Sequence, residues 1–349
     1  RCCKNTFNFA HDINFFFNKS NIIIFKMKVL VIQNRMGIGD MVIFLPYIEA
    51  ISKHFNVPVS LLVKGNTKCS EYLSDNPSID NIIILDRDDK KKSGKHYGLK
   101  GIFNLAFEIK KYNFDKIFIF NSSFRYTIIA RLAKIKNIYQ YKLFSKKNQN
   151  IIETAKFFLK KNLKIEVDSN PIISIDSQIV KNAKNKYEII DGETNIMLGI
   201  GGSGPTKRVS PEKFIQLMKL CSSKFKCKFF LAAGSNDTEE QIVNKILNSD
   251  HKDKCITLNK LKISETLPVI KNCNISVCND TSFSHLSAAL GIETIVLMTD
   301  TPLLYGNYSP RMHPILPDGE KIVTHDTLGK DKINSETIFN KLKNILKLN

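Results

Sequence analysis

The stretch Lys28–Pro46, KVLVIQNRMGIGDMVIFLP, decides the fold. Lys28–Asn34 is a short, nearly unbroken apolar run, the pattern of a strand buried on both faces. Gly37 and Gly39 follow, and glycine lets a backbone turn sharply and approach a ligand closely. Asp40 then opens an amphipathic segment of helical length, Met41–Phe55. A strand, a glycine turn and a helix in this order form the opening unit of a parallel α/β sheet. A dinucleotide-binding fingerprint would place a third glycine at position 42, which is Val42, so that cofactor motif fails. Asp is a favoured N-cap, which makes capping the leading role for Asp40 and catalytic base the second. One carboxylate can serve both.

The same alternation runs outward from this unit. Strands are expected at Val59–Lys64, Asn81–Asp86 and Lys116–Asn121, then at Asn195–Ile200, Lys228–Ala233, Ile275–Asn279 and Thr294–Thr299. Between them lie helical patterns at Gly101–Tyr112, Phe124–Lys134, Pro211–Phe225, Thr238–Asn248, Ile263–Asn272 and Phe283–Leu290. Short apolar strands alternating with helices predict parallel sheets covered on both faces. The alternation weakens from Val167 to Thr194, where Pro171 and Asp191-Gly192 interrupt it. The reading is therefore two doubly wound, Rossmann-like domains, 27–168 and 169–349, whose strand ends face a central cleft. The segment Ser335–Leu348 reads as a helix that packs back on the body.

Composition narrows the class. The chain has 349 residues, 52 Lys and Arg against 33 Asp and Glu, and a net charge of +19. With 43% hydrophobic and 24% charged residues it is globular in usage, which excludes a disordered chain. No stretch approaches the roughly 18–20 apolar residues of a membrane span. The first 26 residues lack both the continuous apolar core and the cleavage site of a signal peptide. They read as a poorly ordered extension ahead of a start at Met27. The eight cysteines include no C-x-x-C pair, so free, mostly buried thiols are expected rather than a zinc site. The basic excess, dense at Lys90–Lys95 and Lys142–Lys147, favours an anionic partner. No helix-turn-helix, zinc-finger or RNP pattern is present, so nucleic acid is not the expected partner, while an anionic membrane surface is a candidate.

Three further strand-to-helix turns carry chemistry. In GIGGSGPTKRVSPEKF, Gly199–Phe214, four glycines including Gly202 and Gly204 bring backbone amides within reach of an anion. Lys207 or Arg208 would supply the charge, and Ser210-Pro211 is an ordinary helix start. The order of a Walker loop is absent. In NDTSFSHLSAALGI, Asn279–Ile292, Asp280 ends a buried strand and Thr281 and Ser282 form the turn. The helix starting at Phe283 offers unpaired amides and a positive dipole end to a phosphate, with His285 in its first turn. A lone His is more often a packed group than a ligand, and proximity to this anion site raises its standing. In AAGSNDTEEQI, Ala232–Ile242, Glu239 or Glu240 is a candidate for ribose hydroxyls, although an acidic first helical turn explains both more simply.

Taken together, RMGIGDMVIFLP, GPTKRVSPEKF and NDTSFSHLSAALG, in this order, resemble glycosyltransferase family nine, the ADP-heptose:lipopolysaccharide heptosyltransferases, over roughly Met27–Tyr308. The resemblance implies a GT-B fold with the acceptor on the amino-terminal domain and the nucleotide-sugar on the carboxy-terminal one. It also implies an inverting transfer that needs neither metal nor cofactor, working in the cytoplasm or on the inner face of the cytoplasmic membrane. Asp40 falls on the family's general base and Lys207 on its donor-phosphate lysine. Asp280, Thr281, Ser282 and His285 fall on the stretch around the pyrophosphate. Ser282 replaces the family's usual Gly, Val209 a common Trp and Thr299 a frequent Gly.

The chemistry this implies is compact. Asp40 would take the proton of an acceptor hydroxyl as its oxygen attacks the anomeric carbon. Lys207 and the helix start at Thr281–Phe283 would stabilise the leaving nucleoside diphosphate. Two other readings compete: a GT-B epimerase or hydrolase of nucleotide-sugars, and a basic, non-catalytic polyanion-binding protein. Donor and acceptor choice would lie in loops, chiefly Asp86–Lys100 and Phe144–Asn150.

Overall fold

The computed structural model describes residues 26–143 and 150–348. The expected amino-terminal extension, most of the Phe144–Asn150 loop and the end of the Lys142–Lys147 run lie outside the described residues. Two parallel sheets organise the chain. The first has five strands in the order β3-β2-β1-β4-β5, built from β1 Val29–Gln33, β2 Val59–Lys64, β3 Ile79–Leu85, β4 Lys116–Ile119 and β5 Asn137–Gln140. The second has six in the order β11-β10-β9-β6-β7-β8. Its strands are β6 Thr194–Gly199, β7 Cys227–Ala232, β8 Cys255–Thr257, β9 Ile275–Asn279, β10 Thr294–Leu297 and β11 Met312–Ile315. In each sheet the first strand in sequence is central, β1 pairing Leu30 with Ser60 and with Ile117 on either side.

Helices cover both faces: α1 Ile38–Phe55, α2 Gly98–Lys110, α3 Phe124–Leu132, α4 Ile151–Leu163, α5 Ser177–Lys186, α6 Pro211–Ser222, α7 Asp237–Leu247, α8 Ile263–Lys271, α9 Ser282–Ala289 and α10 Ser335–Leu346. Every residue from Met41 to Ile48 is buried, as a helix apolar on all sides must be. The reason is position, because α1 lies between its own sheet, α4 and, from the second sheet's layer, α9. The α9 sequence SFSHLSAA is rich in small residues, which lets the two backbones come close. One continuous apolar core runs through this contact, joining Phe44 and Ile48 to Leu286 and Ala289. Helix α10 packs on α6, within the second sheet's layer. Six cysteines, Cys69, Cys221, Cys227, Cys255, Cys273 and Cys278, are free thiols, and all but Cys255 are buried.

Five elements were not expected. Strand β11 contains Pro314, which argues against a strand except at a sheet edge, where β11 lies. Strands β5 and β8 are short edge strands with half-exposed residues. Helix α5 buries only Ala183 and falls in the segment read as a junction. Helix α4 begins with an Asn150 cap that accepts from the amides of Ile152 and Glu153. Among the described residues, no helix is long and apolar enough to cross a membrane.

Candidate active site

The carboxyl ends of β1, β6 and β9 meet in a cleft of about 720 Å³ between the two sheets. Its walls include Gly37, Gly39 and Asp40 from the first layer and Gly202, Lys207, Glu239, Asp280, Thr281, Ser282 and His285 from the second. Gly204 is extended and stands outside the lining.

The first wall departs from the expected helix start. Helix α1 begins at Ile38 and its N-cap is Gly37, in a positive-φ conformation (φ 95°) that favours glycine. Asp40 is thus not the cap: it sits inside the first turn and makes no capping bond. Its Oδ1 accepts instead from Nε of Arg35, 3.0 Å away. A guanidinium nitrogen of Arg35 also donates to the Tyr305 hydroxyl at 3.4 Å, which ties this loop to the second layer. Burial pushes the Arg35 pKa down, but the Asp40 carboxylate and the Tyr305 hydroxyl together outweigh it and raise it. Gly39 also differs from expectation. Its close neighbour is the imidazole of His285, which a Cβ at position 39 would strike.

The second wall is built around β9. Asn279, wholly buried, donates to the carbonyls of Ile200 and Gly201, both at 3.0 Å, and accepts from the Val209 amide at 3.3 Å. It thereby fixes both ends of the glycine loop. The Thr299 hydroxyl donates to the Thr206 carbonyl at 2.9 Å, which anchors the turn Pro205–Lys207. Nζ of Lys207 then reaches Oδ2 of Asp280 at 2.8 Å. Burial alone would raise the Asp280 pKa, but Lys207 and His285 outweigh it and hold the carboxyl below its ordinary value. Thr281 caps α9, its Oγ1 accepting from the Phe283 amide at 3.3 Å. His285 is buried, its Nδ1 bonded to the Tyr308 hydroxyl at 2.8 Å and its Nε2 3.8 Å from Oδ1 of Asp280. Desolvation depresses its pKa against the pull of Asp280 and Asp40, so the ring favours the neutral form.

The glycine loops are less open than their sequence suggests. Glu239 is 6% exposed, and its Oε1 accepts from the Gly202 amide at 2.6 Å. Its Oε2 accepts from the side-chain amide of Asn236 at 2.8 Å. The Gly202 N–H is therefore occupied by protein, and Arg208 turns its Nε to the Gly202 carbonyl at 2.9 Å. Of the two basic candidates, Lys207 lines the cleft.

Sequence reasoning missed Arg35, Asn279, Tyr305 and Tyr308 as organisers of this site. Arg35 and Asn279 adjoin recognised motifs, and their position at strand ends was the available signal. Nothing local marks the two tyrosines, of which Tyr305 lines the cleft and Tyr308 lies buried behind His285.

Comparison with known proteins points one way. A sequence profile of glycosyltransferase family 9 (heptosyltransferase) matches residues 102–332, which contain the second and third motifs. The chain is 22% identical to lipopolysaccharide heptosyltransferase 1 of Campylobacter coli over 349 aligned residues, covering 92% of this chain and 98% of that one. Its fold is similar to that of E. coli ADP-heptose LPS heptosyltransferase II, with a TM-score of 0.70 at 17% identity over 92% of this chain and 99% of the other. It is also similar to E. coli heptosyltransferase WaaC with ADP, with a TM-score of 0.67 at 14% identity over 91% of this chain and 100% of the other. The two parallel sheets facing a cleft are a GT-B architecture.

Proposed function

Since the chain belongs to glycosyltransferase family 9, the heptosyltransferases, we propose that it moves a heptose from ADP-heptose to a hydroxyl of a lipopolysaccharide-type acceptor. The transfer inverts the anomeric carbon and uses no metal ion or cofactor. The observation that carries this reading is that Asp40 lines one wall of a cleft whose other wall holds Lys207 and the start of α9.

In this mechanism the acceptor hydroxyl approaches from the first layer and gives its proton to the Asp40 carboxylate. The acceptor oxygen bonds to the anomeric carbon as the bond to the diphosphate oxygen breaks. Negative charge grows on that leaving oxygen. Lys207, shared with Asp280 before the donor binds, turns to the phosphates, and the amino end of α9 adds its dipole. Closure of the layers excludes water and protects the donor from hydrolysis. Adenine as the base is supported by the ADP in the similar WaaC structure. The site of action in this proposal is the inner face of the cytoplasmic membrane.

A thermal-shift series with ADP, UDP and GDP, followed by a transfer assay, tests the proposal. Selective stabilisation by ADP and donor turnover that requires acceptor are expected. Preference for UDP or GDP overturns the donor. Equal turnover without acceptor replaces transfer by hydrolysis or epimerisation.

A further inference from the structure

Helix α2 buries Ile102, Leu105, Ala106 and Ile109 against its sheet and turns Leu99, Phe103 and Phe107 outward, at 79%, 53% and 63% exposure. Residues four apart on a helix stack along one line, so these three form a ridge. Helix α3 lies beside α2 and adds Phe124 and Leu132, at 45% and 41% exposure. Arg125 at the start of α3 donates to the carbonyls of His96 and Gly98 at 2.6 and 2.8 Å, which locks the first turns of the two helices together. Single exposed apolar side chains need no explanation, but five on two joined helices mark an interaction surface.

The charge around this ridge is predominantly positive. Between residues 86 and 136 the chain carries thirteen Lys and Arg against five Asp and Glu. Of those acids, Glu108 is paired with Lys95 and Asp89 with Arg87. Lys100 and Lys110 on α2 and Lys111 at its C-cap flank the ridge, and Arg131, Lys134 and Lys136 follow on the α3 side, all exposed. Where the two helices end, Lys110, Lys134 and Lys136 line a concavity of about 270 Å³ with a single carboxylate, Asp115, among them.

The geometry points to an anionic lipid bilayer as the occupant of the α2–α3 face. The surface is a convex ridge bordered by lysines, not a groove shaped for a peptide. A bilayer offers a continuous sheet of phosphates over an apolar interior and so complements both parts at once. Leucine and phenylalanine side chains enter the acyl boundary while the lysine stems reach back to the headgroups. Helices α2 and α3 start beyond the carboxyl ends of β3 and β4, at the same end of the first sheet as the carboxyl end of β1, where the cleft opens and Met36 is also 53% exposed. Docking by this face brings the cleft beside a lipid-linked acceptor. That consequence rests on the sugar-transfer reading; the lipid binding does not.

The test is sedimentation of the full chain with vesicles of phosphatidylcholine, or of equimolar phosphatidylcholine and phosphatidylglycerol. Binding to the anionic vesicles is expected to exceed that to the neutral ones by about tenfold at low salt and to weaken as salt is raised. Phe103→Glu with Phe107→Glu is expected to cut anionic binding about tenfold, at an unchanged melting temperature and with the same stabilisation by ADP. Lys100→Glu, Lys110→Glu and Lys111→Glu together should abolish the preference for phosphatidylglycerol. Equal binding to both vesicles, or wild-type binding by the phenylalanine variant, overturns the proposal. So does a self-associated species that the phenylalanine variant dissolves. Vesicle binding without stabilisation by ADP, UDP or GDP would instead remove the transfer reading and leave the docking face in place.

Discussion

Gly39 and His285 touch across the two layers: a Cβ built at position 39 would stand 2.6 Å from Cδ2 of the imidazole. The α1–α9 contact therefore depends on a missing side chain beside the candidate base. Gly39→Ala should destabilise the protein by about 1–3 kcal/mol through overpacking. Gly37→Ala should cost a similar amount for another reason, since Gly37 has φ 95° and open space around its Cβ position. Urea unfolding separates the two causes. In a His285→Ala background the Gly39→Ala cost should largely vanish, whereas the Gly37→Ala cost should persist. Equal persistence of both would remove the steric account.

Asp40 is held by Arg35 from a loop also tied to Tyr305. Asp40→Asn keeps the size of the side chain and removes its capacity to take a proton. Transfer is expected to fall by about 10²–10⁴-fold, while stabilisation by ADP stays at the wild-type level. Transfer at the normal rate in this variant would end the base assignment.

Lys207 balances a carboxylate that is only 5% exposed. Lys207→Ala leaves Asp280 without its nearest cation and should cost about 2–3 kcal/mol of stability besides weakening ADP binding. Adding Asp280→Asn to that variant should recover most of the stability and none of the ADP affinity. Recovery of both would mean that Lys207 acts on Asp280 rather than on the ligand.

The pH dependence follows from two depressed pKa values. His285 lies below its ordinary 6.5 because burial disfavours the charged ring. Its contribution is complete above 6.5 and is lost as the pH falls through the folded value, because the unfolded chain takes the proton first. Asp280 lies below 3.8 because Lys207 and His285 outweigh burial, and its contribution is lost in the same sense below 3.8. Unfolding free energy should thus decline as the pH falls below 6.5 and decline further below 3.8. His285→Asn should flatten the upper decline and Asp280→Asn the lower. A wild-type profile flat from neutral pH to below 3.8 would contradict both shifts.

Much of this was legible in the chain because parallel strands buried on both faces write themselves as apolar runs. Val59–Lys64 and Ile275–Asn279 were bounded to the residue for that reason. The candidate site residues sit at the ends of such strands, where glycine, Asp and Lys interrupt the apolar text. Edge elements such as β5 and β11 lack the two-sided burial that produces the signal. The error at Asp40 has another origin. Its identity fits an N-cap, but the positive φ of Gly37 starts the helix earlier and moves Asp40 into the first turn. The Arg35–Tyr305 contact depends on the docking of one layer on the other, and the His285–Tyr308 contact on packing within the second layer, and no local pattern records either.

Glu239 is the clearest case of a carboxylate whose work is done by both oxygens on protein. One accepts from the Gly202 amide and the other from the Asn236 side chain, so it joins the glycine loops after β6 and β7. These loops leave it no spare room, since a Cβ at Gly201 would stand 2.5 Å from its Oε1 and one at Gly234 would collide with Oε2. Gln at this position supplies one acceptor in place of two and sets an N–H₂ against a donor. Asn236 has no free rotation to relieve this, because its Oδ1 already accepts from the Glu239 amide at the start of α7. Glu239→Gln is therefore expected to cost about 1–2 kcal/mol of stability. ADP affinity should also fall by about tenfold as the loops loosen, since a one-donor mismatch is worth that much. Comparing ADP with 2′-deoxy-ADP by calorimetry separates this role from ribose binding. If Glu239 acts by tying the loops, the variant loses the same factor for both nucleotides. If it binds the ribose hydroxyl, the loss is confined to ADP and the loop account fails.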